Sequence, residues 1–331
     1  MKAYLIRRFL LIIPSFFGIS LITFVMLQLM PGNPVMLRLQ KLQGTMGAGT
    51  VSPELIEQTK KLYGLDKPVW QQYVLWVGRL CTLDFGTSFK DRRPVRDKIA
   101  EALPVTIQIN VISILLVYLF AVPIGVYSAT HQRSWGDAVT TVFLFLLYSL
   151  PSFWVAMLLI YFLGSGHPLN WFPIYGLNSL DAGGMTWGQY ALDRLWHLVL
   201  PVFCLTYASL AEIAQFARSG MIDVIRQDYI RTARAYGFAE KTVIFKYAMR
   251  NSLIPIITLL ASLLPALIGG SVIVENIFSI PGMGRLSFES VLSRDYPTVM
   301  GILTISALLT LLGLILSDIL YALTDPRIKF E

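Results

Sequence analysis

Long apolar runs alternate with short polar stretches along this chain. Six runs reach the roughly 20 residues needed to cross a hydrocarbon core: 9–30, 103–127, 138–163, 197–217, 252–278 and 298–322. The fourth is the weakest, because Glu212 and Gln215 lie near its end. An even count places both chain ends on one side. Pro123, Pro151, Pro201, Pro255 and Pro265 fall inside these runs, the last just before Gly269-Gly270. Neighbouring helices can satisfy the backbone groups that such prolines free, so the pattern predicts an all-α bundle with kinked members.

The polar stretches orient the bundle. With the N-terminus inside, the inner segments 1–8, 128–137, 218–251 and 323–331 hold 13 of the 27 basic residues, on about half as many loop residues as the outside. Most of the others lie in 31–102, a segment long enough for its charge to have little say in topology. Positive-inside bias therefore favours both termini in the cytoplasm. Lys2, Arg7 and Arg8 precede a first run of about 22 residues, longer than a cleavable signal core and without a small-residue cleavage site. It reads as a retained span. The chain divides into the tail and first span (1–30), an extracytoplasmic segment (31–102) and a five-helix core (103–331) with an inner helical element at 224–247. Within the outer segment, Ser52-Pro53-Glu54 is a helix start and Gly64 a stop. Trp70, Tyr73, Val74 and Val77 recur at helical spacing and predict a second helix, packed on the first or resting at the membrane interface.

Composition agrees: 55% hydrophobic, 14% charged, mean hydropathy +0.62, against about 25% charged in soluble domains. The net charge of +7 is spread over several loops and forms no nucleic-acid-binding domain. Cys81 and Cys204 make no disulfide framework, and His131, His167 and His197 are too scattered for a metal site. The sequence contains no G-x-x-x-x-G-K-[ST], so it has no P-loop to cradle a nucleotide. Gly164-Ser165-Gly166-His167 lacks the spacing of a hydrolase elbow and reads as a turn. Glu212, Glu275 and Asp318 lie toward span ends, leaving Asn110 and Thr206 as mid-span polar groups. That pattern disfavours a gradient-driven carrier, which places ionisable groups at mid-membrane.

One inner stretch is better formed than a turn requires. In DYIRTARAYGFAEKTVIFKYAMRN, Ile225, Tyr229, Ala233 and Tyr236 fall on one predicted face, with Arg226, Arg231 and Arg234 on others. Gly237 sits at a helix C-cap, and Glu240 in the first turn of a renewed helix. Small residues permit close approach, while Tyr and Arg are typical interface anchors. The stretch is a docking knob or a solvated positive loop.

Tyr229-Ile230-Arg231-Thr232-Ala233-Arg234-Ala235-Tyr236-Gly237 resembles the cytoplasmic coupling motif of binding-protein-dependent ABC importer permeases, in its oligopeptide/dipeptide/nickel subfamily spelling. The usual Glu-Ala-Ala opening is replaced by Arg231-Thr232-Ala233, and the usual Ile-x-Leu-Pro end by Tyr247-Ala248-Met249-Arg250. Similar strings run nearly end to end: Arg7-Arg8, Pro31-Gly32-Asn33-Pro34, Tyr63 to Pro68, Asp84-Phe85-Gly86-Thr87-Ser88, Glu275 to Gly284, Arg294-Asp295-Tyr296-Pro297 and Asp325-Pro326-Arg327.

The resemblance implies a type I importer permease fold in a bacterial inner membrane. It implies a homologous second permease, two ABC ATPase subunits that bind ATP and Mg, and an extracytoplasmic solute-binding protein. No cofactor is then held by this chain, and it is not itself an enzyme. The implied cargo is di- or oligopeptides, with nickel chelates, glutathione and peptide antibiotics as alternatives. Tyr229 and Arg231 through Gly237 become ATPase-coupling residues. Glu275, Asn276, Pro281, Gly282 and Gly284 are candidates for the pathway or for binding-protein contact; the competing expectation is that Glu275-Asn276 bonds to backbone and the glycines serve a tight turn. A stand-alone carrier and an intramembrane hydrolase are the rivals.

Overall fold

The computed structural model describes residues 2–29, 67–166, 168–253 and 266–324, and among these the secondary structure is helical apart from isolated bridges. The residues group into two compact units, one from the described parts of Lys2–Glu101 and Leu286–Leu309, the other from those of Ala102–Arg285 and Thr310–Glu331.

In the first unit, α1 (Lys2–Leu29) carries α2 (Val69–Cys81) along its side. Tyr73 bonds Ser20 through its hydroxyl at 2.9 Å, and Phe24 packs edge-on to Tyr73 at 5.4 Å. The predicted aromatic helix packs against α1, while Trp70 and Val74 stay exposed. The expected helix beginning at Ser52 lies outside the described residues. The Asp84–Ser88 loop closes over Asp295, which is fully buried. That carboxylate accepts from Ser88 Oγ (2.5 Å), Phe89 N (2.7 Å) and Thr298 Oγ1 (2.6 Å), with Lys98 Nζ at 3.7 Å. Two strings about 200 positions apart thus form one node.

In the second unit the long elements are α3 (Val95–Thr130, which begins in the first unit), α4 (Trp135–Ser149), α5 (Ser152–Leu163) and α6 (Trp187–Ile225). A Thr186/Gln189 capping box starts α6. At 39 residues it is ~58 Å long, well beyond the ~30 Å of a hydrocarbon core. The run with the weakest apolar signal is therefore part of a helix that outreaches the membrane. Among the described residues three helices, Val95–Thr130, Trp187–Ile225 and Tyr296–Ile319, are apolar and long enough to span. The expected third span is not one straight helix: α4 and α5 meet at 96°. Leu150, before Pro151, is pushed to extended backbone (φ −87°, ψ 125°), and its freed carbonyl accepts the Tyr207 hydroxyl at 2.7 Å. Pro123 and Pro201, by contrast, sit inside continuous helices. Of the expected 252–278 span, 254–265 lies outside the described residues. Beyond that stretch lie α10 (Ala266–Gly269) and α11 (Val272–Ile277), broken at Gly270 with φ +64°. The last helices are α12 (Met283–Leu292) and α13 (Tyr296–Thr324).

Candidate coupling site

The C-terminal end of α6 turns at Arg226-Gln227 into α7 (Asp228–Ala235), followed after a turn by α8 (Glu240–Thr242), a π-helical turn (Val243–Ala248) and α9 (Met249–Ser252). Asp228 begins α7 at the positive end of its dipole. Ile230 and Ala233 are buried against Met221, Val243, Ala248, Val126 and Ala129. The face Ile225–Tyr229–Ala233–Tyr236 does not form: Ile225 ends the preceding helix, and the apolar side is Ile230 with Ala233. The close approach that Ala233 permits is to its own chain.

The C-terminus of α7 is a Schellman motif. Gly237 N donates to Arg234 O at 2.9 Å and Phe238 N to Ala233 O at 3.4 Å, with Gly237 at φ +79°. The turn is then pinned from two sides. Arg234 grips Glu240 with both arms of its guanidinium (2.7 and 3.1 Å), and Asn251 Nδ2 donates to the Tyr229 hydroxyl at 2.8 Å. The Arg234 fork holds the Glu240 carboxyl below its usual range. A prefolded elbow results, with Tyr236 79% exposed and Arg231, Thr232, Ala235 and Phe238 also outside. Interfaces use such aromatic and arginine groups as anchors.

Just above the elbow, Arg218 ties three elements. It donates to Asp137 through Nε (3.1 Å) and a terminal nitrogen (3.1 Å), and to Ser128 Oγ at 2.9 Å. Asp137 also accepts from Ser128 Oγ and from Arg133 N. Sequence reasoning placed Arg218 among loop cations; the structure puts it inside α6 with a buried counter-ion. The signal available was Ser134-x-x-Asp137, an N-cap that positions the acid in the first turn of α4.

The second group of candidates is arranged differently. Glu275 is 3% exposed. Its carboxylate accepts from Arg285 N (2.9 Å), Ser271 N (3.3 Å) and Thr106 Oγ1 (3.1 Å), while Thr106 Oγ1 accepts from Met283 N at 2.7 Å. Asn276 bonds the Val272 carbonyl at 2.7 Å. Glu275 therefore faces the loop that follows it. Gly282 and Gly284 are buried beside it: a Cβ on Gly282 would lie 2.5 Å from Glu275 Oε2, and one on Gly284 2.8 Å from Val272 N. Their smoothness matters, not a left-handed turn. Pro281 stays exposed. Thr106, the hinge pin of this node, had no visible signal in the sequence.

Two family models cover the chain: the binding-protein-dependent transport system inner membrane component over residues 121–330, and the N-terminal membrane component of the same systems over 1–110. Full-length relatives agree. The oligopeptide transport system permease protein AppB of Bacillus subtilis is 40% identical over 332 residues, all of both chains. The dipeptide transport system permease protein DppB of Escherichia coli K12 is 34% identical over 347 residues, again all of both. The inner membrane ABC transporter permease protein YejB of Escherichia coli O157:H7 is 34% identical over 362. The chain belongs to the binding-protein-dependent inner membrane component family.

As a member of that family it is a multi-pass permease subunit of an ABC transporter, and the ATP hydrolysis that drives such a system is done by separate subunits. The missing P-loop follows from that division of labour. The elbow and the Arg218 clamp both lie within the segment matched by the permease model.

Proposed function

We propose that this permease is one half of the translocation path of a peptide importer, and that Tyr229, Arg231, Thr232 and Arg234–Gly237 seat it on an ATPase subunit, with Ala233 packed beneath them. The observation that carries the reading is the elbow itself. A helix of eight residues is fixed by a buried apolar face, a Schellman turn, an ion pair and a tyrosine–asparagine bond, yet presents tyrosine and arginine outward. A solvated loop needs none of this. Closure of two ATPases around ATP and Mg would displace the elbow and, through it, the long α6.

The full assembly is six spans with both termini in the cytoplasm of a bacterial inner membrane, residues 31–102 outside, a homologous second permease, two ATPases and a solute-binding protein. Di- or oligopeptides are the cargo, in keeping with the names of the relatives; nickel chelates, glutathione and peptide antibiotics are the alternatives within the family. The test is uptake into vesicles. The chain with its companions and ATP should import a labelled dipeptide, and Tyr236→Ala should lower both ATPase copurification and uptake several-fold. Uphill uptake by the chain alone, or external labelling of a cysteine placed at Tyr236, would refute the reading.

A further inference from the structure

The geometry points to Arg218 as the residue that makes α4 follow the elbow, through its clamp on Asp137 and Ser128; this rests on the coupling role proposed above. Met221, one turn beyond Arg218, is fully buried against Ile230 and Ala233 of the elbow, so α6 takes up any elbow displacement directly. From α6 the displacement has two routes. Helix α3 is held by close backbone packing: Gly125 lies so near that a Cβ would sit 2.5 Å from Ala214 O and from Ala217 Cβ. Arg218 adds one polar bond to α3, to Ser128 Oγ at 2.9 Å. Helix α4 is different. Its buried residues are Asp137 and Leu144, and Val139, Val142, Phe143, Phe145, Leu146 and Tyr148 are exposed.

Leu144 packs near Ala211 and Ala214, a contact of small apolar groups that can slide, and at the far end of α4 the Tyr207 hydroxyl of α6 donates to the Leu150 carbonyl at 2.7 Å, a single bond that sets a distance but not a direction. The clamp cannot slide without breaking, because two guanidinium bonds hold Asp137 while Ser128 of α3 accepts from Arg218 and donates to Asp137. A planar fork on a carboxylate fixes direction as well as distance. Arg218 is thus a positioning residue: it converts elbow motion into motion of α4 and of the 96° bend beyond it.

The test uses the complete importer in nanodiscs, comparing wild type with Arg218→Gln, Arg218→Lys, Ser128→Ala and the swap Arg218→Asp with Asp137→Arg. The readouts are ATPase copurification, ATP hydrolysed per dipeptide imported, and the distance between spin labels at Val142 on α4 and Phe216 on α6 with and without trapped ATP. In Arg218→Gln the ATPases should still copurify, the ATP cost per dipeptide should rise at least fivefold, and the Val142–Phe216 distance should change with nucleotide where wild type keeps it constant. Arg218→Lys should fall between, and the swap should recover at least half of the coupling. A merely structural role would lower uptake and hydrolysis together and leave their ratio unchanged, which would overturn the inference. If Arg218→Gln does not assemble, Arg218→Lys and Ser128→Ala decide: an unchanged ratio in both, or loss of assembly on removing the one hydroxyl, also overturns it. Failure of the ATPases to copurify with wild type would instead strike the coupling role itself.

Discussion

Gly237 offers the sharpest quantitative test of the elbow. It is held at φ +79°, and a Cβ built on it meets nothing within 4 Å. Any effect of substitution inside this chain is therefore backbone strain rather than a clash. For an L-residue the left-handed conformation costs roughly 1–2 kcal/mol, with asparagine the best tolerated after glycine. Gly237→Ala should then weaken closure of the turn by about 5- to 30-fold, since 1.4 kcal/mol is about a factor of ten, and Gly237→Val by more because of its branched Cβ. Gly237→Asn should stay close to wild type. Dipeptide uptake and ATPase copurification, measured side by side in the reconstituted importer, would rank the variants Gly, Asn, Ala, Val. If size alone ordered them, with Asn worse than Ala, the glycine would be serving a partner's approach and the strain argument would be wrong.

Other expectations follow from the same geometry. Ala233→Glu buries a charge against Ile230 and Met221 and should destabilise the elbow by several kcal/mol, so thermal melting of the purified permease should fall; Tyr236→Ala, exposed, should leave melting unchanged while reducing ATPase binding. Glu275→Gln turns one acceptor oxygen into a donor facing backbone N–H groups and should cost about 1–3 kcal/mol, seen as faster proteolysis of the Ser279–Gly284 loop; equal proteolysis would contradict the node. Glu240 has its carboxyl lowered by the Arg234 fork, so the pair's contribution is full above the ordinary glutamate range and fades as pH falls through it and below. Because both side chains are well exposed, the effect is about 0–1 kcal/mol and screened by salt; a salt-independent melting shift would count against it. Asp91 is opposed by burial but held at about 2 by Lys98, Arg93 N and Ser88. Its stabilising share should therefore disappear between pH 3.8 and about 2, and Asp91→Asn should flatten that part of the melting profile.

Much of this protein was legible without coordinates. Apolar run length dictates helices, because backbone groups in lipid must bond within their own segment. Gly237 announced a C-cap and Glu240 the next helix by local chemistry alone, and both stand where expected. What sequence could not say is which side of each helix the rest of the chain would cover. Nothing in the string of letters shows that folding buries Ala233 under Met221 and wraps Glu275 in a loop. Arg218 and Asp137, 81 positions apart, and Ser88 and Asp295, 207 apart, become partners only when distant helices meet. Pro151 and Pro201 carry the same local penalty, yet one site bends by 96° and the other stays helical. At Pro151 the Tyr207 hydroxyl is at hand to donate to the carbonyl that Leu150 releases. Local periodicity determines where helices form, while the pairing of polar groups depends on contacts that exist after packing.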